Sequence, residues 1–322
     1  MNFARSCVGF ALTAMAGLAA AQAPAIPRTV RLVVAYPAGG VSDVVARALG
    51  EQLAAQLGTT VIVDNRAGAS GAIGMDAVAK AAPDGATLGF SAISPLVLSP
   101  HLGKLPFDPL KDIAPVASVM YSPVLLIATP ASKAKDFRGL IDAAKAYPGA
   151  VRWATSGSAS LGHIVLEQLH AAAGVDITHV PYKGGGQQLT DALGGQFEIL
   201  SSNASPTLSA HIQSGKLRPF AVGAPARLES LPQVPTLGEL GFNAANISSL
   251  FGVFAPAATP PALIERYNAE INKALASPEL RAKLTATDNV PTGGTAAAFA
   301  KEIASEYESN ERIVKGAHIK AD

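Results

Sequence analysis

The chain of 322 residues is 49% hydrophobic and 15% charged, with 25 lysines and arginines against 24 aspartates and glutamates, and a single cysteine. Such an apolar composition excludes intrinsic disorder, and the length is ample for one large core or two smaller ones. A formal charge of +1 lacks the cationic surplus of a general nucleic-acid or anionic-membrane binder, so neither partner is expected.

Met1 to Ala23 reads as a secretory signal peptide. Arg5 is the lone charge of a short leading region, an apolar run extends from Cys7 to Ala21, and small residues permit cleavage after Ala21 or Ala23. The run is shorter than the roughly 20 residues of a membrane-spanning helix. Cleavage removes Arg5 and the only cysteine, leaving 24 basic against 24 acidic residues. The mature chain then has no disulfide, thiolate nucleophile or cysteine metal site. Export without disulfides points to a bacterial periplasm. Further on, Val116 to Ala128 is too short to span a bilayer, and Leu250 to Ile264 is broken by Pro256, Pro260 and Pro261, so no direct membrane insertion is expected.

Val30 to Tyr36 has the apolar, β-branched character of a buried strand and runs into Pro37-Ala38-Gly39-Gly40. A helix is predicted next, N-capped by Ser42, with Val45, Leu49, Leu53 and Leu57 on one face and Gly58 as its stop. Thr60 to Val63 is a second strand, Asp64 to Gly71 a loop, Ala72 to Ala82 a helix, and Leu88 to Phe90 a third strand. Strand and helix alternating at this pace predict a parallel α/β sheet, with ligands at the carboxyl ends of its strands. From Val124 a second series follows, with strands near Val124–Ala128, Val151–Ala154, Ile177–Val180, Phe197–Leu200 and Pro219–Val222. Helices are predicted between them over Phe137–Tyr147, Leu161–Ala173, Gln187–Leu193 and Pro206–Gln213, and the strand Phe251–Ala255 precedes three terminal helices starting near Pro261, Pro278 and Thr295.

The roughly 70 residues after Ser248 are too few for a third domain and dock most economically on the first. The expected organisation is therefore a first lobe from residues 28–126 and 247–322 and a second from 127–246. Two crossings between lobes make a hinge with a cleft.

Catalytic motifs are weak throughout. The six histidines show no paired metal-ligand spacing, and no cofactor or metal is expected. Gly157-Ser158-Ala159-Ser160 does not meet the Gly-x-Ser-x-Gly pattern of a nucleophile elbow. Lys183-Gly184-Gly185-Gly186 runs opposite to a phosphate-binding loop. What recurs is a strand, a loop of Gly, Ser and Ala, then a helix: 37–42, 65–71, 156–160 and 182–186. Glycine there either makes a tight turn or leaves backbone N–H groups at a positive helix end, where they bind anions without lysine or arginine.

At these loops the sequence resembles the receptors of the tripartite tricarboxylate transporters, the Bug family. The carrying segments are Tyr36 to Asp43, Val63 to Gly74, Ala81 to Gly85, Gly162-His163, His179 to Gly184, Asp191 to Gln196, Gly215 to Arg218, and Pro232 to Leu237 with Glu239. The resemblance covers nearly the whole mature chain. It implies an α/β, type II periplasmic-binding (Venus flytrap) fold of two lobes. It also implies a monomer that delivers a small carboxylate to a membrane permease. Carried over, first-lobe contacts would be Ala38, Gly39, Gly40, Asn65, Gly68, Ala69 and Gly71, with Ser42 and Ser91. Second-lobe contacts would be Ser156, Ser158, Ser160, His163 and Tyr182, with Asn203. The chain departs from the family pattern with Ala67 for Pro, Ser70 for Gly and Ala86 for an aromatic residue, and has Ser202-Asn203 where many members place Asp.

An amino-acid ligand would need an acid for its ammonium, and near the loops only Asp43 offers one, in a helix first turn. The expected ligand is therefore a di- or tricarboxylate, a hydroxy acid or an aromatic acid. Two other roles compete with transport. One is a periplasmic sensor presenting its closed form to a signalling partner; the other is a hydrolase using Ser158 or Ser160 with His163, which lacks an evident acidic orienter.

Overall fold

The structure is a computed structural model that describes residues 25–158, 160–183 and 185–316. The signal segment expected at Met1 to Ala23 lies outside the described residues.

The first lobe is built on a six-stranded sheet. Its first three strands are β1 (Thr29–Val34), β2 (Thr60–Asn65) and β3 (Thr87–Ala92), parallel to one another. Between them run α1 (Val41–Leu57) and α2 (Ala72–Ala79). Two four-residue turns of helix, α3 (Ser94–Val97) and α4 (Ser99–Leu102), lead to β4 (Ile113–Ser122). The apolar run from Val116 to Ala128 divides at Pro123. Its first part ends β4, and its second part is β5 (Val124–Ala128), a member of the other sheet.

The second, five-stranded sheet continues with β6 (Arg152–Thr155), β7 (Thr178–Pro181), β8 (Ile199–Asn203) and β9 (Arg218–Gly223), in the order β7-β6-β8-β5-β9. Its helices are α5 (Phe137–Ala146), α6 (Leu161–Ala173), α7 (Gly185–Leu193) and α8 (Pro206–Gln213). The chain then returns through β10 (Ser249–Pro256) to the first sheet, followed by α9 (Pro261–Ala276), α10 (Pro278–Thr285), β11 (Val290–Pro291) and α11 (Ala296–Gly316). The first sheet is thereby ordered β11-β4-β10-β3-β1-β2.

The two-lobed α/β expectation holds, but an all-parallel sheet does not. β10 runs antiparallel to both β3 and β4, and β5 antiparallel to β8 and β9. A strand that comes back from the other lobe enters its sheet without a local crossover helix, so nothing forces it to be parallel.

Side-chain alternation along the strands fills two layers in each lobe. In the first, Leu32, Val34, Leu88 and Phe90 pack with Leu49 and Leu53 of α1, while Val33 and Phe254 meet Met75, Val78 and Phe299 on the other face. In the second, Leu126 and Trp153 pack on Phe137, Leu140, Leu166 and Leu169. Leu125, Ile127, Ala154 and Leu200 point the other way, toward Ala192 of α7 and Leu208 of α8.

The lobes meet at two chain crossings. At the first, Asn203 Nδ2 donates to the carbonyls of Ser122 and Pro123, both at 3.2 Å, and to Ser249 Oγ at 3.1 Å. At the second, Ser248 Oγ donates to the Gly223 carbonyl at 2.9 Å. A Cβ on Gly223 would lie 2.3 Å from the Ile247 carbonyl oxygen, so only glycine permits this close approach.

Candidate functional site

The loop after β1 is shaped by backbone demands. Gly39 has φ +81°, which favours glycine. The α1 helix begins at Val41 with Gly40 as its N-cap and no side-chain cap hydrogen bond. Ser42 therefore does not cap α1, contrary to the expectation from sequence; it is buried in the first turn. The residue that organises the loop is Asp43, whose carboxylate accepts the Gly39 N–H at 3.0 Å and pairs with Arg47 at 2.9 Å. Burial would raise the Asp43 carboxyl, but the hydrogen bonds of Arg47 and Gly39 outweigh it and hold the group below its ordinary value. Asn65 ties the end of β2 to this loop: its Nδ2 donates to the Tyr36 carbonyl at 3.1 Å and its Oδ1 accepts from Arg47 at 3.2 Å.

The second loop of this lobe is unusual. Gly68, Ala69, Ser70 and Gly71 all have positive φ, at 130°, 47°, 52° and 99°. Two of these are non-glycine residues held in the left-handed region, which costs free energy that the surroundings must offset. Their conformation aims the Ser70 hydroxyl across the cleft, where it donates to the Ser158 carbonyl of the second lobe. Gly157 fits against it, since a Cβ there would stand 2.6 Å from Ser70 Oγ and 3.1 Å from the Tyr182 carbonyl oxygen.

On the second lobe, Ser160 N-caps α6, its hydroxyl accepting the His163 N–H at 3.3 Å. A Cβ on Gly162 would sit 2.6 Å from Ser201 Oγ, so glycine lets α6 lie close to β8.

Between the lobes lies a cavity of about 370 Å3. Of the residues singled out in the sequence, it gathers Ala38, Gly39, Gly40, Ser42, Ser156, Ser160 and Asn203 in its wall. The others stand elsewhere. Asn65 braces the β1 loop, and Gly68, Ala69 and Gly71 shape the turn that presents Ser70. Ser91 is fully buried in β3, beside the Tyr36 hydroxyl. Burial pushes that phenol up to about 12, against the opposing effect of Ser91 and the Ala92 backbone. Ser158 contributes its carbonyl to the contact with Ser70. His163 is buried and lies flat on His179, with ring centroids 4.1 Å apart, and its Nε2 is 3.5 Å from Glu167. Tyr182 packs edge-on to Phe197 and donates its hydroxyl to Asp191 at 2.8 Å.

The wall also holds residues that sequence reasoning missed: Tyr36, Ser70, Ser94, Ser201, Ser202, Ser205, Ser249 and Phe251, and one face each of α7 and α8. Serine and threonine hydroxyls predominate among its polar groups. No Asp, Glu, Lys or Arg is found in the wall among the described residues. An uncapped helix of 17 residues that opens onto such a neutral, hydroxyl-lined cavity can satisfy an anion with N–H and O–H donors alone.

Two α/β lobes joined by paired crossings, with a donor-lined cavity between them, define a periplasmic-binding type of protein. The comparisons make the family specific. Residues 45–319 match the tripartite tricarboxylate transporter family receptor, and the chain belongs to that family. It is 37% identical over 313 residues to protein BugT of Bordetella pertussis, covering 95% of this chain and 96% of that one. The structure of the periplasmic binding protein BugD superposes with a TM-score of 0.86 at 28% identity, covering 92% of this chain and 99% of that one. A Rhodopseudomonas palustris protein with adipate superposes with a TM-score of 0.85 at 30% identity, again covering 92% and 99%.

Proposed function

We propose that this protein is a periplasmic receptor that captures a small carboxylate in the interlobe cavity and passes it to a membrane permease of the tripartite tricarboxylate type. The observation that carries the reading is the α1 N-terminus. It has no side-chain cap, and it faces a cavity whose wall, among the described residues, holds no Asp, Glu, Lys or Arg. One carboxylate would seat on the loop 38–42 and α1, and receive hydroxyls from Ser156 and Ser160 on closure. Four or five hydrogen bonds to a charged group, at roughly 1.5–3 kcal/mol each, supply about 6–15 kcal/mol, which brackets the roughly 8 kcal/mol of micromolar binding and in its upper half leaves a surplus to offset ordering costs. The wall offers no acid for an ammonium, which favours acids without an amino group. The adipate carried by a relative agrees with that class.

The same site supports a reading of capture rather than turnover. The Ser160 hydroxyl serves as the α6 cap, and the His163 ring lies outside the cavity wall against His179. The test is a thermal-unfolding screen over carboxylic and amino acids on the mature protein. A bound acid at a hundredfold excess over Kd adds about 2.7 kcal/mol to stability. Stabilisation by amino acids and not by simple acids would reject the reading.

A further inference from the structure

The cavity does not stop at the anion-binding loops. It follows one face of α7 through Gly185, Leu189 and Leu193, and one face of α8 through Leu208 and His211, over the β8 residue Leu200. Positions 185, 189 and 193, with 208 and 211, have the spacing of single helix faces. Over 185 to 193 that face extends on the order of 12 Å at 1.5 Å per residue. Leu200, Leu208 and Ala192 belong to the same apolar layer, on the sheet face that α7 and α8 cover. Both helices begin three residues after a group at the lobe junction: α7 at Gly185 after Tyr182, whose carbonyl approaches Gly157, and α8 at Pro206 after Asn203, which reaches the hinge. The result is a stretch of wall where Leu189, Leu193, Leu200 and Leu208 stand together with Thr190, Thr207 and His211, in one cavity with the donor-lined end.

We infer that this branch is a tail subsite, and that the ligand is a monocarboxylic acid whose apolar chain runs between α7 and α8. The inference rests on the carboxylate reading above and narrows it. The occupant follows from continuity: one cavity joins the uncapped α1 end to the branch, so a molecule anchored at the first has its remainder directed into the second. It also follows from size. A space of about 370 Å3 equals roughly 12 waters at about 30 Å3 each, more than a carboxylate head alone fills. Leu189 and Leu193 are only half-buried on their helix, and an apolar chain would remove the rest of their surface from water.

The experiment is calorimetric titration of the mature protein with butanoate, hexanoate, octanoate and octanedioate. Affinity should rise by up to about fourfold per added methylene, the ratio that corresponds to about 0.8 kcal/mol of buried CH2. Octanedioate should bind less tightly than octanoate. The Leu193→Trp variant, which adds bulk to the wall of the branch, should lower the octanoate-to-butanoate affinity ratio at least tenfold. If that variant fails to fold, Leu193→Ala, which enlarges the branch, should move the preferred chain length upward. Butanoate binding with no gain on lengthening, or octanedioate binding more tightly than octanoate, overturns the tail subsite and leaves the carboxylate reading standing. No binding by any of these four acids likewise overturns the tail subsite, and the carboxylate reading is then decided by the thermal-unfolding screen.

Discussion

The Ser70 hydroxyl of the first lobe reaches the Ser158 carbonyl of the second, and this bond exists only while the lobes are together. Ser70 makes it from φ +52°, a left-handed conformation that a serine adopts at a cost. The Ser70→Gly variant separates the two effects. Glycine takes the same φ freely, so the unliganded protein should be as stable or more stable by up to about 1 kcal/mol. The interlobe bond, at about 0.5–1.5 kcal/mol, is lost. Ligand affinity should therefore fall about fivefold while the melting temperature holds. Equal affinity in the two proteins would show that the bond plays no part in closure.

Gly157 is the partner surface of that contact. An alanine there puts a Cβ 2.6 Å from Ser70 Oγ and needs φ +133°, a region nearly closed to other residues. Gly157→Ala should weaken ligand binding by tenfold or more and lower stability by about 1–3 kcal/mol. Adding Ser70→Gly should recover part of the affinity and little of the stability, since it removes the clash and leaves the strained φ. A thermal-unfolding and titration series on the two single variants and the double variant reads both quantities.

The glycine-rich loops were legible in the sequence because their function is a backbone property: positive φ at Gly39 and Gly68 demands glycine whatever else is nearby. The helices were legible from the spacing of residues such as Leu49 and Leu53. Other features depend on which residues the fold brings together. Ser42 has the composition of an N-cap, but Gly40 takes that place because the loop before it is held by Asp43 and Asn65. Tyr182 and His163 carry suitable chemistry, yet partners within their own lobe, Asp191 and His179, draw their side chains out of the cavity wall. The hydroxyls and leucines of α7 and α8 had no local signal, since a half-buried leucine on a sheet-covering helix has the same pattern whether its open side meets water or a ligand.

Asn203 illustrates the same limit and yields a prediction. Its Nδ2 donates to two carbonyls and one hydroxyl at the first crossing, so the amide acts as a clasp between β8 and the strands on either side of the hinge. Asn203→Asp replaces the donor with an acceptor facing the Ser122 and Pro123 carbonyl oxygens. Stability should drop by about 1–3 kcal/mol at neutral pH. The radius of gyration from solution scattering should rise as the lobes spread. Protonating the new carboxyl at acid pH restores one donor, so the deficit should shrink there. A deficit independent of pH would assign the loss to packing alone.

The pair of histidines around Glu167 sets a stability window. Hydrogen bonds from His163 and then His170 hold the Glu167 carboxyl at about 2, below its ordinary 4.5. Burial works against charge on His170, but the hydrogen bond and charge of Glu167 outweigh it and raise that imidazole above 6.5. The depressed acid contributes stability that is complete above pH 4.5 and is lost as pH falls toward 2. The raised histidine contributes stability that is complete below pH 6.5 and is lost as pH climbs through its folded value. Both contributions are present together between 4.5 and 6.5. Denaturant unfolding across the pH range should therefore show a maximum in that interval, and Glu167→Gln should flatten it by removing the charge that both imidazoles face. The same maximum in the variant would show that other groups set the profile.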